Sequence, residues 1–483
     1  MNNSEKPNKL IPSLGLYITI AIVTGAVIGS GIFKKPASMA EQLGSPELML
    51  LIWVVAGIVT LFGALSNAEV ASMITKTGGQ YKFFQVMYGE FTGFLYGWAI
   101  FAVIQTGSIA SITYVFAEYS EYFWQLPRFS QEIERGIFLH IPYIGNIYPL
   151  EDIGVKSVTI IVIMFLSTVN YFGVIFGGRI SGVFTTLKVA AISILIVLGF
   201  AIGNGSFGHF IQESEVIINA PDYTVFAAVI MAMSGAFWAY DGWNNITYIA
   251  GEVKQPQRNI PRALFVGTCI VIVTYLLLNL SFLYVMPVEE MAGSKLVASD
   301  VASKFLGPLG GGLIAALVMV STFGTSNGTI MVSSRVYYAM AKDKLFFKPI
   351  GKTHKKYKTP ANSLMLQGIW ASMLVLSGKF DDLTDMLIFV SWIFYMMGAF
   401  GLFVLRRKMP DAPRPYRVWG YPYVPAIFVI FALAYVVFTL YNDIVSYSRG
   451  DSELINSLFG LLLVAAGLPF YFFFKARQKK QSE

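Results

Sequence analysis

Apolar runs long enough to cross a bilayer recur along the whole chain, and no other feature narrows the fold so far. A hydrocarbon core about 30 Å thick takes roughly 20 residues of helix, since each residue rises about 1.5 Å. About twelve such segments can be drawn: 16–43, 48–75, 88–118, 153–172, 179–204, 222–251, 259–287, 309–340, 360–378, 383–405, 422–445 and 454–474. Only 13% of the 483 residues are charged, about half the share in a soluble protein. The expected fold class is an all-α polytopic membrane protein with 12 transmembrane helices. Met1–Pro12 is polar, and the first apolar segment is too long for a signal h-region and has no A-x-A site after it, so no cleavable signal is expected.

The placement of charge predicts topology. The chain carries a formal charge of +7. Most loop Lys and Arg fall in 341–359, in 406–417 and in the tail KARQKK, while 119–152 and 205–221 are acidic. With the basic loops inside, both termini are cytoplasmic. The basic loops are topology signals first, and nucleic acid is not expected as a partner. The single cysteine, Cys269, lies mid-span, so no disulfide forms within the chain, and a small buried apolar role is expected for it. His140, His209 and His354 fall in predicted loops, which leaves no metal or histidine-catalysed site within the membrane. No catalytic residues and no cofactor are expected. An intramembrane enzyme needs a catalytic cluster, and a channel or receptor a repeated pore motif or sensor domain. None is visible.

Two spans are interrupted in the same way. The first contains VIGSGIF (Val27–Phe33), and the sixth contains SGAFWAYDGWNN (Ser234–Asn245). Broken helices five spans apart suggest two inverted five-helix repeats followed by two extra helices, with a substrate site where the breaks meet. The corresponding divisions are a tail 1–13, a first repeat 14–204, a second repeat 205–408, two further helices 409–474 and a tail 475–483. GEFTGFLYG sets Gly89, Gly93 and Gly97 on one helix face, a close-packing surface. TKTGGQYKFF (Thr75–Phe84) reads as a short link with a re-entrant or interfacial turn.

Unwinding at Gly29-Ser30-Gly31 frees backbone groups that would cost several kcal/mol each in lipid, roughly 2–7. A polar ligand offsets that cost. The second half-helix, starting at Gly31, offers unpaired N–H groups and a positive dipole end, which suit a carboxylate. The first half-helix offers carbonyls, such as that of Val27, which suit an ammonium. A glycine kink or a close packing contact explains the same glycines. In the sixth span Gly235 and Gly242 bracket Phe237, Trp238, Tyr240 and Asp241. Trp238 is either a stacking lid or an interfacial anchor, and Asp241 either a functional carboxylate or a helix cap. Lys188, about two and a half turns in from Arg179, either snorkels to the cytoplasm or bonds carbonyls of the unwound first span. A fixed cation there can replace a sodium ion. Glu69 and Glu252 read as solvated or paired with nearby basic residues, and Tyr275 as packing unless it faces the site.

These residues resemble the L-type amino acid transporter branch of the amino acid–polyamine–organocation superfamily. The resemblance rests on IGSGIF followed by Pro36, on Asn67-Ala68-Glu69, and on ITKTGGQY and SGAFWAYDGWN. It continues in EVKQPQRNIP (Glu252–Pro261), STFGTSNG (Ser321–Gly328) and RPYRVWGYP (Arg414–Pro422). Ordered matches run from Gly15 to Pro422. The resemblance implies a LeuT-type fold and sodium-independent exchange of neutral L-amino acids by alternating access, in a prokaryotic-type member of the plasma (inner) membrane. A proton-coupled permease or an amino acid–amine antiporter is the alternative, kept open by Asp241. It implies that Ser30 and Gly31 bind the substrate carboxylate through backbone, within a set that includes Ile28 and Gly29. Carbonyls at Val27, Trp238 and Asp241, next to Ala239, would hold the α-amino group, with Trp238 as gate. Lys188 takes the place of the family's fifth-span lysine, associated with sodium independence. Tyr275, Thr325 and Asn327 complete the implied site. Two departures stand out: Asp241 where a small residue is frequent, and Gly251 where an acidic one is. Animal members join a heavy chain through a cysteine in the loop after the third span. Loop 119–152 has none, so a monomer among membrane lipids is expected, without that covalent partner.

Overall fold

The helices stop where the glycines interrupt the apolar pattern. The first span is two helices, Leu16–Val27 and Gly31–Leu43, joined through Ile28 in an extended conformation (φ −68°, ψ 92°). The second interruption ends Asp222–Tyr240. Gly242 turns the chain with φ +98°, and a 3-10 helix runs from Trp243 to Glu252. The two breaks touch. A Cβ on Gly31 would stand 2.5 Å from the Ala239 Cα, and one on Gly242 would stand 2.8 Å from the Ala26 carbonyl oxygen. Glycine is required at both places by close approach, and at Gly242 also by the left-handed backbone.

This computed structural model describes residues 14–76, 78–172, 174–202, 205–212, 222–357 and 359–482. The tail 1–13, most of the acidic stretch 205–221, Thr77 and the Arg179 side chain lie outside the described residues. Among the described residues, ten helices are long and apolar enough to cross a membrane. Two further helices, Val174–Ile202 and Ala361–Val375, occupy the fifth and ninth expected positions. The eighth starts earlier than its apolar run: Val297–Lys342 continues through a kink at Gly307 (φ +68°) and Pro308. Proline lacks the N–H that would continue the ladder, and the glycine absorbs the bend. The third span also departs from a plain α-helix. Ile100–Ile104 forms a π turn, and the Thr106 hydroxyl donates to the Phe101 carbonyl at 2.7 Å. Widened turns of this kind re-aim the helix that follows.

Gln80–Tyr88 is a helix, not merely a turn, because Tyr81, Phe83, Phe84 and Met87 bury one face. Of the three spaced glycines, two are packing positions. A Cβ would come within 2.4 Å of Gln85 at Gly93 and within 2.5 Å of Met340 at Gly97. Gly89 instead makes a turn with φ +99° and open space around it. Cys269 is half-buried rather than buried. The loop after the third span holds a short helix, Gln131–Gly136, and a hairpin pairing Leu139–Ile141 with Gly145–Ile147. Asn146 N–H donates to the Glu453 carbonyl at 2.9 Å, tying this hairpin to the last interhelical loop.

At the centre, Val297–Lys342 packs against Gln105–Ser120 and Val174–Ile202, and Leu16–Val27 packs against Pro256–Val285. These elements surround the two breaks.

Candidate functional site

A narrow cleft with a cavity volume of about 20 Å³ lies between the breaks, lined by Ala26, Val27, Gly29, Ser30, Gly31, Trp238, Asp241, Gly242 and Asn245. Ser108 and Ile112 line it from the third span, and Thr325 and Thr329 from the eighth. Each of these pairs is one helical turn apart, so each presents a single face. Ser108, Ile112, Asn245 and Thr329 were not singled out from the sequence. Spacing alone does not say which face of a buried helix meets a ligand.

Helix Leu16–Val27 ends inside the protein, so its last carbonyls lack intrahelical donors and carry the negative dipole end. Lys188 meets one of them, Gly25 O, and the carbonyl of Ile28 just beyond. It is 2% exposed, and its ammonium donates to Gly25 O at 2.7 Å, Ile28 O at 2.7 Å and Thr325 Oγ1 at 3.0 Å. Three donors and three acceptors satisfy the ammonium. The cation is thus held by backbone dipoles and a hydroxyl from two other elements.

Tyr275 meets the next carbonyl. Its hydroxyl lies 2.9 Å from Val27 O and 2.9 Å from Ala239 O, so one proton bridges both breaks. Tyr275 therefore faces the breaks from beneath, fully buried, and does not line the cleft. A carbonyl has two lone pairs, so Val27 O retains acceptor capacity for a ligand. The Trp238 carbonyl already accepts the Asp241 N–H at 3.1 Å.

On the side towards Leu43, Trp238 lies edge-on to Phe380, with centroids 6.2 Å apart. Lys35 Nζ stands 4.9 Å from the same Phe380 ring and bonds Asp381 Oδ1 at 2.5 Å and Thr384 Oγ1 at 2.9 Å. Ring, cation and carboxylate cover the indole in successive layers. The Trp238 Nε1 and Ser30 Oγ, both on residues of the cleft, are buried without a hydrogen-bond partner among the described residues. Buried polar atoms left unpaired call for a ligand or water. On the opposite side, Asp241 Oδ1 accepts from Tyr395 Oη at 2.6 Å, and Gln105 Nε2 donates to Asn245 at 3.2 Å.

The remaining candidates lie elsewhere. Asn327 accepts from Asn170 Nδ2 at 2.7 Å and is not on the cleft wall. Ile28 and Ala239 contribute carbonyls behind the wall. Glu69 is fully buried and forked by Arg406 (3.0 and 2.7 Å), with Arg414 at 3.4 Å and Val418 N–H at 2.7 Å. Glu252 faces Arg335 at 3.8 Å. No group of His, Cys, Asp and Glu suited to a metal occurs among the described residues.

The cleft thus presents helix-end carbonyls, an opposed helix N-terminus and unpaired polar atoms, but no nucleophile–base pair. It is arranged to bind, not to break bonds. The family model for amino acid permeases matches residues 14–464. The chain is 30% identical to the human b(0,+)-type amino acid transporter 1 over 477 residues, 98% of this chain and 90% of the relative. It is 30% identical to the serine/threonine exchanger SteT of Bacillus subtilis over 474 residues, 98% of each. It is 29% identical to the human large neutral amino acids transporter small subunit 2 over 460 residues, 95% of this chain and 79% of the relative. The chain therefore belongs to the amino acid permease family, on the branch that holds the L-type transporters, and is a multi-pass membrane transporter rather than an enzyme.

Proposed function

We propose that the protein is a sodium-independent exchanger of neutral L-amino acids that works by alternating access. The observation that carries this reading is the Lys188 ammonium, fixed on Gly25 O, Ile28 O and Thr325 Oγ1 between the first break and the eighth span. A side-chain ammonium at that place supplies what a sodium ion would otherwise have to supply, a positive charge joining two moving elements. Transport then needs no sodium gradient, and exchange follows when the empty carrier reorients slowly.

In this reading the amides at Ser30 and Gly31 take the substrate carboxylate, and Val27 O takes the ammonium. Trp238 closes over the substrate beneath Phe380. The twelve helical segments form two inverted five-helix repeats, bounded as the sequence divides them, plus two further helices. Both termini face the cytoplasm, the membrane is the plasma (inner) membrane, and the protein acts as a monomer without a disulfide-linked heavy chain. Names of relatives support exchange: one is a serine/threonine exchanger.

Asp241 favours a second reading, an amino acid–amine antiporter, because its carboxylate residue lines the cleft. One competition panel decides between them. Proteoliposomes preloaded with serine take up a labelled neutral amino acid while unlabelled neutral and basic amino acids compete. The main reading expects neutral competitors to win by at least about tenfold, a difference of about 1.4 kcal/mol in binding. Preference for basic competitors or amines would replace it with the second, and net uptake driven by a pH gradient would favour a proton-coupled permease.

A further inference from the structure

A second cleft lies where Val297–Lys342 and the last helix, Gly467–Ser482, both end. Its cavity volume is about 340 Å³, and Lys342, Lys344, Lys348, Lys352 and Arg477 line it. No carboxylate is among the lining residues. None of the five cations enters an ion pair among the described residues. The nearby acid, Asp343, is turned away: its carboxylate bonds Lys82 and the Tyr81 hydroxyl, and only its carbonyl meets Gln478, at 3.2 Å. Topology asks that a loop be basic. It does not ask that five cations converge on one concavity without a counter-ion among the described residues, where they repel one another.

The apolar part of the cleft points to the kind of anion. Phe346 and Phe474 are buried against it, while the neighbouring Phe347, Phe472 and Phe473 are 38%, 66% and 54% exposed. Exposed phenyl rings beside a cationic wall set apolar surface next to positive charge, the pairing that a lipid's acyl chains and anionic headgroup match. We propose that this cleft binds the phosphate headgroup of an anionic phospholipid, with the glycerol and upper acyl chains along Phe347. Basic pockets between membrane helices are suited to such headgroups. The lipid would clamp the end of the last helix to the segment that follows Lys342.

The test uses the purified full chain and native mass spectrometry with phosphatidylglycerol and phosphatidylcholine. The wild type should retain phosphatidylglycerol at least about tenfold better, since each basic residue at an anionic surface contributes about 1 kcal/mol. The combined variant Lys344→Gln, Lys348→Gln, Lys352→Gln, Arg477→Gln should lose that preference. A control losing four other exposed charges, Lys355→Gln, Lys356→Gln, Arg407→Gln, Arg417→Gln, should keep it. Where the fourfold variant is not recovered monodisperse, Lys348→Gln with Lys352→Gln should still weaken retention. Undiminished retention by the cleft variants overturns the proposal. An equal loss in the control also overturns it, because retention then follows overall charge. Displacement of the lipid by the same concentration of glycerol phosphate overturns it in favour of a soluble phosphate ligand.

Discussion

The Lys188 ammonium and the Ile28 carbonyl oxygen are 2.7 Å apart, which fixes a helix from the first half of the chain to the open end of the first half-helix. Replacing this side chain strands Gly25 O and Ile28 O, at about 1–3 kcal/mol for each buried acceptor left unpaired. Lys188→Ala should lower exchange in proteoliposomes by at least about tenfold while the protein stays monodisperse in detergent. Exchange at the wild-type rate would remove the lysine from the coupling role.

The glycines of the first break differ in what a methyl group would meet. At Gly31 a Cβ would lie 2.5 Å from the Ala239 backbone, whereas at Gly29 the nearest atom is the Thr325 methyl at 3.4 Å. Overpacking against backbone costs about 1–3 kcal/mol. Gly31→Ala should therefore lower the melting temperature and abolish exchange, and Gly29→Ala should leave the fold nearly as stable as wild type. Equal melting temperatures for the two variants would contradict this packing.

Lys35 is 3% exposed, and Asp381 is its ionic partner. Asp381→Asn removes the charge of the carboxylate bonded to that buried cation, leaving it Thr384, the Phe380 ring and the neighbouring Asp385. Lys35→Met leaves a carboxylate that is half in solvent and is the milder change. The thermal stabilities of both single variants and the double variant form a cycle, and its coupling should exceed about 0.5 kcal/mol. Additive effects would mean that the pair does not hold the layer above Trp238 together.

Glu69 ties the end of helix Phe380–Lys408, through Arg406, to the segment that follows it, through Arg414 and Val418. Removing one partner of a buried ion pair costs about 3–5 kcal/mol. Glu69→Gln should reduce thermal stability by that order. Because Glu69 is fully buried, about 1 M salt should leave the wild-type melting temperature unchanged, where screening of an exposed pair would lower it. A salt-sensitive wild type would contradict burial of the pair.

Much of this was legible along the chain. The GSG cluster marks a break because glycine is the residue that allows a helix to open, and DGW marks the second for the same reason. Lys188 was conspicuous because a lysine that deep must find acceptors. Its third acceptor, Thr325, and the bridge from Tyr275 to both breaks were not legible, since contacts across 36, 137 and 248 residues leave no local pattern. Glu69 shows the same limit: its partners begin 337 positions later. The π turn at Ile100–Ile104 was hidden because its residues are ordinary helix formers, and the Gly307 kink because the apolar run starts only after it. Along the chain the basic loops are three separate topology signals, and only the fold brings residues of two of them, 341–359 and the tail, to one cleft.

The most direct test of the central claim is counterflow of a labelled neutral amino acid in proteoliposomes, with and without a sodium gradient and with and without internal amino acid. Sodium-independent exchange gives equal uptake with and without sodium, and little uptake into empty vesicles. Uptake that requires sodium and proceeds without internal amino acid would contradict it.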